Sequence, residues 1–120
     1  METKDWLNFS RGLSVELRNL RGGAPEVMKA FSALAQSASA PGALDRKTKE
    51  LIATAVSVAA RCDDCIGFHV KAAVDCGATR EEILETLGMA IYMGAGPAAM
   101  YASHALAAYA QFEAPKTDAA

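Results

Sequence analysis

The 120-residue sequence has no long hydrophobic run, no excess of positive charge and few β-branched residues. It contains no stretch of about 18 apolar residues, so we expect no transmembrane helix. Its 12 basic and 14 acidic residues argue against nucleic-acid binding, which depends on clustered Lys and Arg side chains. The segment from Met1 to Trp6 carries charge and lacks the apolar region of a secretory signal. We therefore expect a cytoplasmic protein with neither membrane nor nucleic-acid partners.

Alanine is abundant, with 26 of the 120 residues, and it is the strongest helix former because it loses no side-chain entropy in a helix. Apolar residues make up 52% of the chain, which excludes intrinsic disorder. A chain of this length can bury a core in one domain. We predict an all-α, single-domain bundle of about six helices spanning residues 1–120.

Turn and capping residues place the first three predicted helices. The first runs from about Asp5 to Leu20 and ends before the glycine pair at 22–23. Pro25 begins the second helix, since the first helical position needs no N–H. Asp45 is the predicted N-cap of the third helix.

Similar signals place the remaining helices. Acidic residues at 63–64 are typical of a first helical turn, and Gly77 is typical of the residue after a helix. Thr79 and Glu82 form a predicted capping box for the fifth helix. The segment 94–97 separates it from a sixth helix, about Pro97–Phe112, and we expect the tail 113–120 to fray.

The apolar faces of these helices leave one question open. The stripe on the first helix can be a core face or a face buried against another subunit; its residues are Trp6, Phe9, Leu13 and Leu17. We predict an apolar face on the second helix, formed by Met28, Phe31, Leu34 and Ala35. We interpret three methionines of the later helices as core residues without a cofactor role: Met89, Met93 and Met100.

The segment Cys62-Asp63-Asp64-Cys65-Ile66-Gly67-Phe68-His69 carries the clearest chemical signal. On a helix, its two cysteines and its histidine fall within a wedge of roughly 60°. A cysteine pair at this spacing is compatible with a disulfide, and a helix N-terminus favours thiolate over thiol. The group can therefore attack an electrophile through a thiolate and then close a Cys62–Cys65 disulfide.

Other interpretations of these residues remain. Cys62, Cys65 and His69 could hold a metal, with Glu50 or another residue as a fourth ligand, although closed zinc sites usually draw on two ligand pairs. They could also be ordinary buried side chains. A thioredoxin-like site is rejected because the chain has no strand pattern. We interpret Cys76 as a small buried hydrophobe and His104 as a packed or interfacial histidine.

The spacing Glu50-x11-Cys62-x2-Cys65-x3-His69 resembles the signature of the alkylhydroperoxidase D branch of the carboxymuconolactone decarboxylase-like superfamily. The resemblance covers about residues 25–112. It differs from the best-studied peroxidase of that branch by Asp64, which stands where that enzyme has histidine. Lactone decarboxylases resemble the same fold but lack the cysteine pair, which counts against decarboxylation here.

The resemblance implies thiol-dependent reduction of organic hydroperoxides. We expect neither a cofactor nor a metal. Cys65 matches the cysteine that attacks the peroxide, and Cys62 matches its partner in the disulfide. Glu50 and His69 match a proton relay. The helix N-terminus alone would instead make Cys62 the more acidic thiol. The resemblance further implies a homotrimer or homohexamer and re-reduction by a dithiol donor such as a lipoylated protein.

Three functional hypotheses follow. The first is a thiol peroxidase, or a related disulfide reductase acting on a disulfide substrate. The second is a non-catalytic redox sensor or redox-gated binding protein, in which the disulfide changes the oligomer or a partner surface. The third is a metal-binding protein.

Overall fold

Five α-helices make up the protein in the computed structural model, which describes residues 4–119 and the side chains of residues 4–114. Their bounds are Trp6–Gly23 for α1, Pro25–Ser39 for α2, Arg46–Ala59 for α3, Asp63–Asp75 for α4 and Arg80–Ala119 for α5. Residues 4–119 contain no β-strand, which confirms the all-α prediction. No helix among them is both long and apolar enough to cross a membrane.

The helix boundaries follow the predicted local signals except at the end of α1. That helix continues through Gly22 and Gly23, where the sequence predicted a break, and the Ala24 amide still donates to the Leu20 carbonyl at 2.8 Å. Pro25 is the first residue of α2, and the Asp45 side chain accepts a hydrogen bond from the Thr48 amide at 2.8 Å. The capping box is reciprocal: the Glu82 amide donates to Thr79 Oγ1 at 3.1 Å, and the Thr79 amide donates to Glu82 Oε1 at 2.8 Å. These contacts satisfy amides that have no partner within a helix.

The predicted fifth and sixth helices form one element, α5, broken at a single residue. Ala95 has φ 53° and ψ −138°, which is not helical. Pro97 lacks the N–H that would bond to the carbonyl four residues earlier, so the helix is interrupted here. The helix is therefore interrupted within residues 94–97, as predicted, but the interruption is one non-helical residue and not a separating segment of four.

Replacing Ala95 by glycine is expected to raise the free energy of unfolding by about 1 kcal/mol. A residue with a Cβ in this backbone region costs about 1–3 kcal/mol, which exceeds the extra unfolded-state entropy of glycine. Urea unfolding measures the change. The matched control is Gly77→Ala, which adds a Cβ at a residue with φ 86°, whereas Ala95→Gly removes one. Its free energy of unfolding should fall by about 1 kcal/mol. A loss of stability in Ala95→Gly would contradict the strain.

The expectation that residues 113–120 fray was wrong for residues 113–119, which belong to α5. The helix continues to Ala119, while residue 120 lies outside the described residues. Residues 1–3, in the segment expected to show no secretory signal, also lie outside them.

The core lies between α3, α4 and α5, which pack closely on one another. Helix α1 contacts α4 and α5, whereas among the described residues α2 contacts α1 and α3 and no other helix. On α5 the larger buried side chains, Ile83, Leu87, Tyr109 and Phe112, lie towards the two ends of the buried face, and between them it consists of small residues, among them Ala98, Ala102, Ala105 and Ala108. Because their side chains are short, the helix backbones can approach closely. Trp6 brings the start of α1 into this core, where its side chain is 1% exposed.

Several residues on the predicted apolar helix faces, and the three methionines predicted to be core residues, lie outside this core. Met89, Met93 and Met100 are 60%, 78% and 63% exposed, so their interpretation as core residues was wrong. The alanines of α5 take the buried face instead, and the methionines point away from it. No residue of α2 is buried, and its Phe31 and Leu34 are 58% and 63% exposed. The stripe of α1 divides: Trp6 is buried, but Leu13 and Leu17 are only half-buried.

Candidate active site

Cys62 and Cys65 lie at the start of α4 and form a disulfide, with their Cα atoms 5.2 Å apart. Cys62 is the N-cap residue, in agreement with the predicted first helical turn at residues 63–64, and its Sγ accepts a hydrogen bond from the Cys65 amide at 3.1 Å. Both side chains are half-buried. A sulfur at this position accepts a hydrogen bond from a backbone N–H and faces the positive end of the helix dipole. Both interactions stabilise negative charge on the sulfur.

A tight turn carries the chain from α3 to this position. Arg61 adopts the left-handed conformation, with φ 58°, and the Cys62 amide donates to the carbonyl of Ser57 at 3.1 Å. This geometry reverses the chain within three residues. The end of α3 and the sulfur-bearing start of α4 are therefore held against each other.

Glu50 and His69 come together from different helices. His69 Nδ1 lies 2.8 Å from Glu50 Oε2, across from α4 to α3. The Glu50 residue is only 4% exposed, and Arg46 Nε lies 3.7 Å from its other oxygen. A buried carboxylate is costly unless it is paired, so these two partners account for its position in the core.

This pair orients the imidazole. With Glu50 ionised, Nδ1 of His69 carries the proton and donates to the carboxylate, which leaves Nε2 to accept or release a proton. His69 lies one helical turn beyond Cys65, on the same face of α4. The periodicity of the sequence predicted no role for Glu50, whereas the family resemblance placed it in a proton relay with His69.

A second histidine–carboxylate pair includes Asp63, the residue directly after Cys62. Asp63 Oδ1 lies 2.9 Å from His104 Nδ1 on α5, and Asp63 Oδ2 accepts from Lys4 Nζ at 2.6 Å. Partial burial acts to raise the pKa of Asp63, but the hydrogen bonds from Lys4 and His104 outweigh it and hold the pKa below its usual value. The resulting stabilisation is present above the ordinary Asp pKa of about 4 and is lost as the pH falls through the lower folded-state pKa.

The sequence did not identify this second pair. His104 was interpreted as packed or interfacial, and its ring does pack near Tyr101, with centroids 5.0 Å apart. The hydrogen bond to Asp63 joins residues 41 positions apart, which no local pattern reports. The one available signal was the position of Asp63 directly after Cys62.

Cys76 was expected to be buried, but it is exposed. It occupies the C-cap of α4, beyond the last helical turn that packs on the core. Within the described part of the chain, no group of three or more His, Cys, Asp and Glu side chains is arranged to hold a metal ion.

Comparison with known proteins gives the relatives of this chain. The model of the carboxymuconolactone decarboxylase family matches residues 25–108. An uncharacterized protein of Cupriavidus necator is 48% identical over 83 residues, 69% of this chain and 74% of that protein. Uncharacterized protein 4 in the cox locus of Paracoccus denitrificans is 47% identical over 87 residues, 72% of this chain and 78% of that protein.

Two solved structures share the fold. A carboxymuconolactone decarboxylase family protein from Legionella pneumophila has a TM-score of 0.87 and 52% identity, over 89% of this chain and 96% of that one. A family protein from Thermotoga maritima, for which a part in an antioxidative response has been suggested, has a TM-score of 0.82 and 30% identity, over 97% and 96% of the two chains. The chain therefore belongs to the carboxymuconolactone decarboxylase family, the superfamily that the spacing of Glu50, Cys62, Cys65 and His69 indicates.

Proposed function

We propose that this protein is a thiol-dependent peroxidase that reduces organic hydroperoxides, or a closely related disulfide reductase, through its Cys62–Cys65 pair. The observation that carries the proposal is the disulfide at the N-terminus of α4, one helical turn before the histidine that pairs with buried Glu50. The disulfide is the oxidised state of such a cycle. The helix start stabilises the thiolate that the reduced state needs.

Peroxide reduction begins from the dithiol. The Cys65 thiolate attacks the terminal oxygen of the hydroperoxide, the O–O bond breaks, and a proton converts the departing alkoxide into an alcohol. Cys65 is then a sulfenic acid. The Cys62 thiolate attacks its sulfur, water leaves, and the disulfide closes. Two electrons pass from the two sulfurs to the peroxide.

A dithiol donor, such as a lipoylated protein, returns the disulfide to the dithiol. One donor thiolate attacks Sγ of Cys65, and Cys62 leaves as a thiolate. The second donor thiol then displaces Cys65 and forms the donor's own disulfide. A stabilised thiolate leaves faster, so the hydrogen bond from the Cys65 amide to Cys62 Sγ supports this direction of attack.

His69 and Glu50 serve the proton transfers of this cycle. Thiols must lose protons before attack, and the alkoxide and the water must gain them. A histidine held at 2.8 Å by a buried carboxylate can accept a proton at Nε2 and release it, while the carboxylate stabilises the imidazolium formed in between.

We place this reaction in the cytoplasm. Cytoplasmic disulfides are usually transient, and they are catalytic or redox-sensing when they occur, because the compartment keeps thiols reduced. A disulfide between residues three apart in sequence constrains little of the unfolded chain, which also fits a redox role better than a structural one.

We also propose that the protein works as a homotrimer or homohexamer. Its surface exposes many large apolar side chains, including Val27, Val56, Met89, Tyr92 and Met93. Some of them line an open groove of about 400 Å³ between α3 and α5. Contiguous apolar surface of this kind marks interaction sites.

The deciding experiment uses reduced full-length protein and one equivalent of cumene hydroperoxide. Peptide mass spectrometry should find a Cys62–Cys65 disulfide with Cys76 still a thiol. Excess dihydrolipoamide should then support many turnovers per subunit. One equivalent consumed and no more would favour the redox sensor, and unreacted thiols would overturn the proposal.

A further inference from the structure

The carboxylate of Asp63 has a place beside the cysteine pair that the reaction above does not use. Asp63 is the first residue of α4 and directly follows Cys62. Its two oxygens bind Lys4 Nζ at 2.6 Å and His104 Nδ1 at 2.9 Å. Lys4 precedes α1 and His104 lies on α5, so three parts of the chain meet at this carboxylate.

Lys4 is held in place by several contacts. Its ammonium lies 4.3 Å from the centroid of the Phe9 ring and 5.0 Å from that of Trp6, both within cation–π range. Its carbonyl accepts a hydrogen bond from Gln111 Nε2 at 2.8 Å, and Gln111 Oε1 accepts one from the Trp6 amide at 2.7 Å. This cation is thus part of a built arrangement, unlike a lysine whose side chain meets only solvent.

The charges around Cys62 oppose one another. Asp63 and Asp64 add two negative charges to the first turn of α4, and a nearby negative charge disfavours a thiolate. Lys4 and, when protonated, His104 offset the charge of Asp63. Arg61, the residue before Cys62, adds a positive charge from the turn. Without Lys4 and His104, the carboxylate beside Cys62 would work against the helix N-terminus.

We propose that Lys4 and His104 are positioning residues that act through Asp63 to keep the Cys62 thiol acidic. Neither touches the substrate. They offset the charge of one carboxylate and thereby preserve the thiolate that closes the disulfide and leaves when it is reduced. The inference rests on the proposed function for its biological meaning, but the acidity of the thiol is a property of the reduced protein and is measured without any peroxide.

The test isolates one thiol. In a Cys65→Ser, Cys76→Ser background Cys62 is the only cysteine, and its rate of alkylation by iodoacetamide follows the thiolate fraction as the pH is raised. Lys4→Met should move the midpoint of this profile upward by about half a pH unit, roughly a threefold loss of thiolate on the steep part of the curve. His104→Gln should move it in the same direction but by less, because His104 adds a positive charge only when it is protonated.

The double variant separates charge from structure. In Asp63→Asn the midpoint should fall, because a negative charge beside the thiol is gone. Adding Lys4→Met to that variant should change the midpoint less than Lys4→Met does alone, because without the ion pair to Asp63 the ammonium is no longer held beside Cys62. Lys4→Arg should restore the original midpoint. Lys71→Met removes an equal charge from an exposed pair with Asp75 at the other end of α4 and is the matched control.

Two results would overturn the inference. One is an unchanged midpoint in Lys4→Met. The other is a shift of full size in the Lys4→Met, Asp63→Asn double variant, which would show that Lys4 does not act through the carboxylate. A peroxidase assay that fails while these shifts are found would reject the proposed function and leave the charge arrangement in place.

Discussion

Substitution of serine for Cys65 is expected to abolish turnover of an organic hydroperoxide, with a loss of at least about 1000-fold in rate. A serine hydroxyl is almost fully protonated at neutral pH and is a far weaker nucleophile than a thiolate. It also cannot form the sulfenic acid or the disulfide. The measurement is cumene hydroperoxide consumption with excess dihydrolipoamide.

Cys62→Ser should behave differently. Cys65 keeps its sulfur and can still attack, so one equivalent of peroxide should be consumed, and the product should stop at a sulfenic acid on Cys65 that a dimedone-type reagent traps. The hydroxyl now capping α4 accepts the same amide hydrogen bond, so we expect the helix start to keep its geometry.

Cys76→Ser is the control for both variants. Cys76 is exposed at the C-cap of α4, and its substitution should leave turnover unchanged. The opposite result would be sulfenic acid on Cys62 in the Cys65→Ser variant and none on Cys65 in the Cys62→Ser variant. It would exchange the roles of the attacking thiol and the thiol that closes the disulfide. That result would make the N-cap sulfur the attacking thiol, as its position at the helix start alone suggests.

The features that the sequence predicted well are local. The cap at Asp45, the capping box of Thr79 and Glu82, and the start of α2 at Pro25 each depend on residues within one helical turn. The placement of Cys62 at the start of α4 is of the same kind. Such contacts are decided by backbone geometry that neighbouring residues share, so a single sequence contains the information.

The features it missed depend on tertiary packing. Periodicity identifies an apolar face but not what covers it, and α5 carries apolar residues on more than one side, so nothing in the pattern separates Ala98 from Met93. The pairing of Asp63 with His104 and that of Glu50 with His69 link different helices. The second pairing was anticipated because a family resemblance supplied it, and the first had no such source.

Replacement of Trp6 by alanine is expected to lower the free energy of unfolding by about 3–5 kcal/mol, the range for deleting a buried aromatic side chain. The indole is 1% exposed, and its ring meets that of Phe9 edge to face with centroids 5.6 Å apart. It packs over Gly67 of α4, where an added Cβ would lie 3.6 Å from the ring. The loss would therefore leave a cavity between α1 and α4.

Urea unfolding followed by circular dichroism measures this effect, since Trp6 is the only tryptophan and its fluorescence disappears with it. All variants should be compared at one protein concentration, because any association of subunits adds to the measured stability. Trp6→Phe should lose clearly less than Trp6→Ala, and Leu20→Ala, at a residue 50% exposed near the other end of α1, should change little. An effect below about 1 kcal/mol for Trp6→Ala would mean that the start of α1 is not anchored in the core. Lys4 would then lack the fixed position that its contact with Asp63 requires, so the stability of this one side chain bears directly on the charge arrangement beside Cys62.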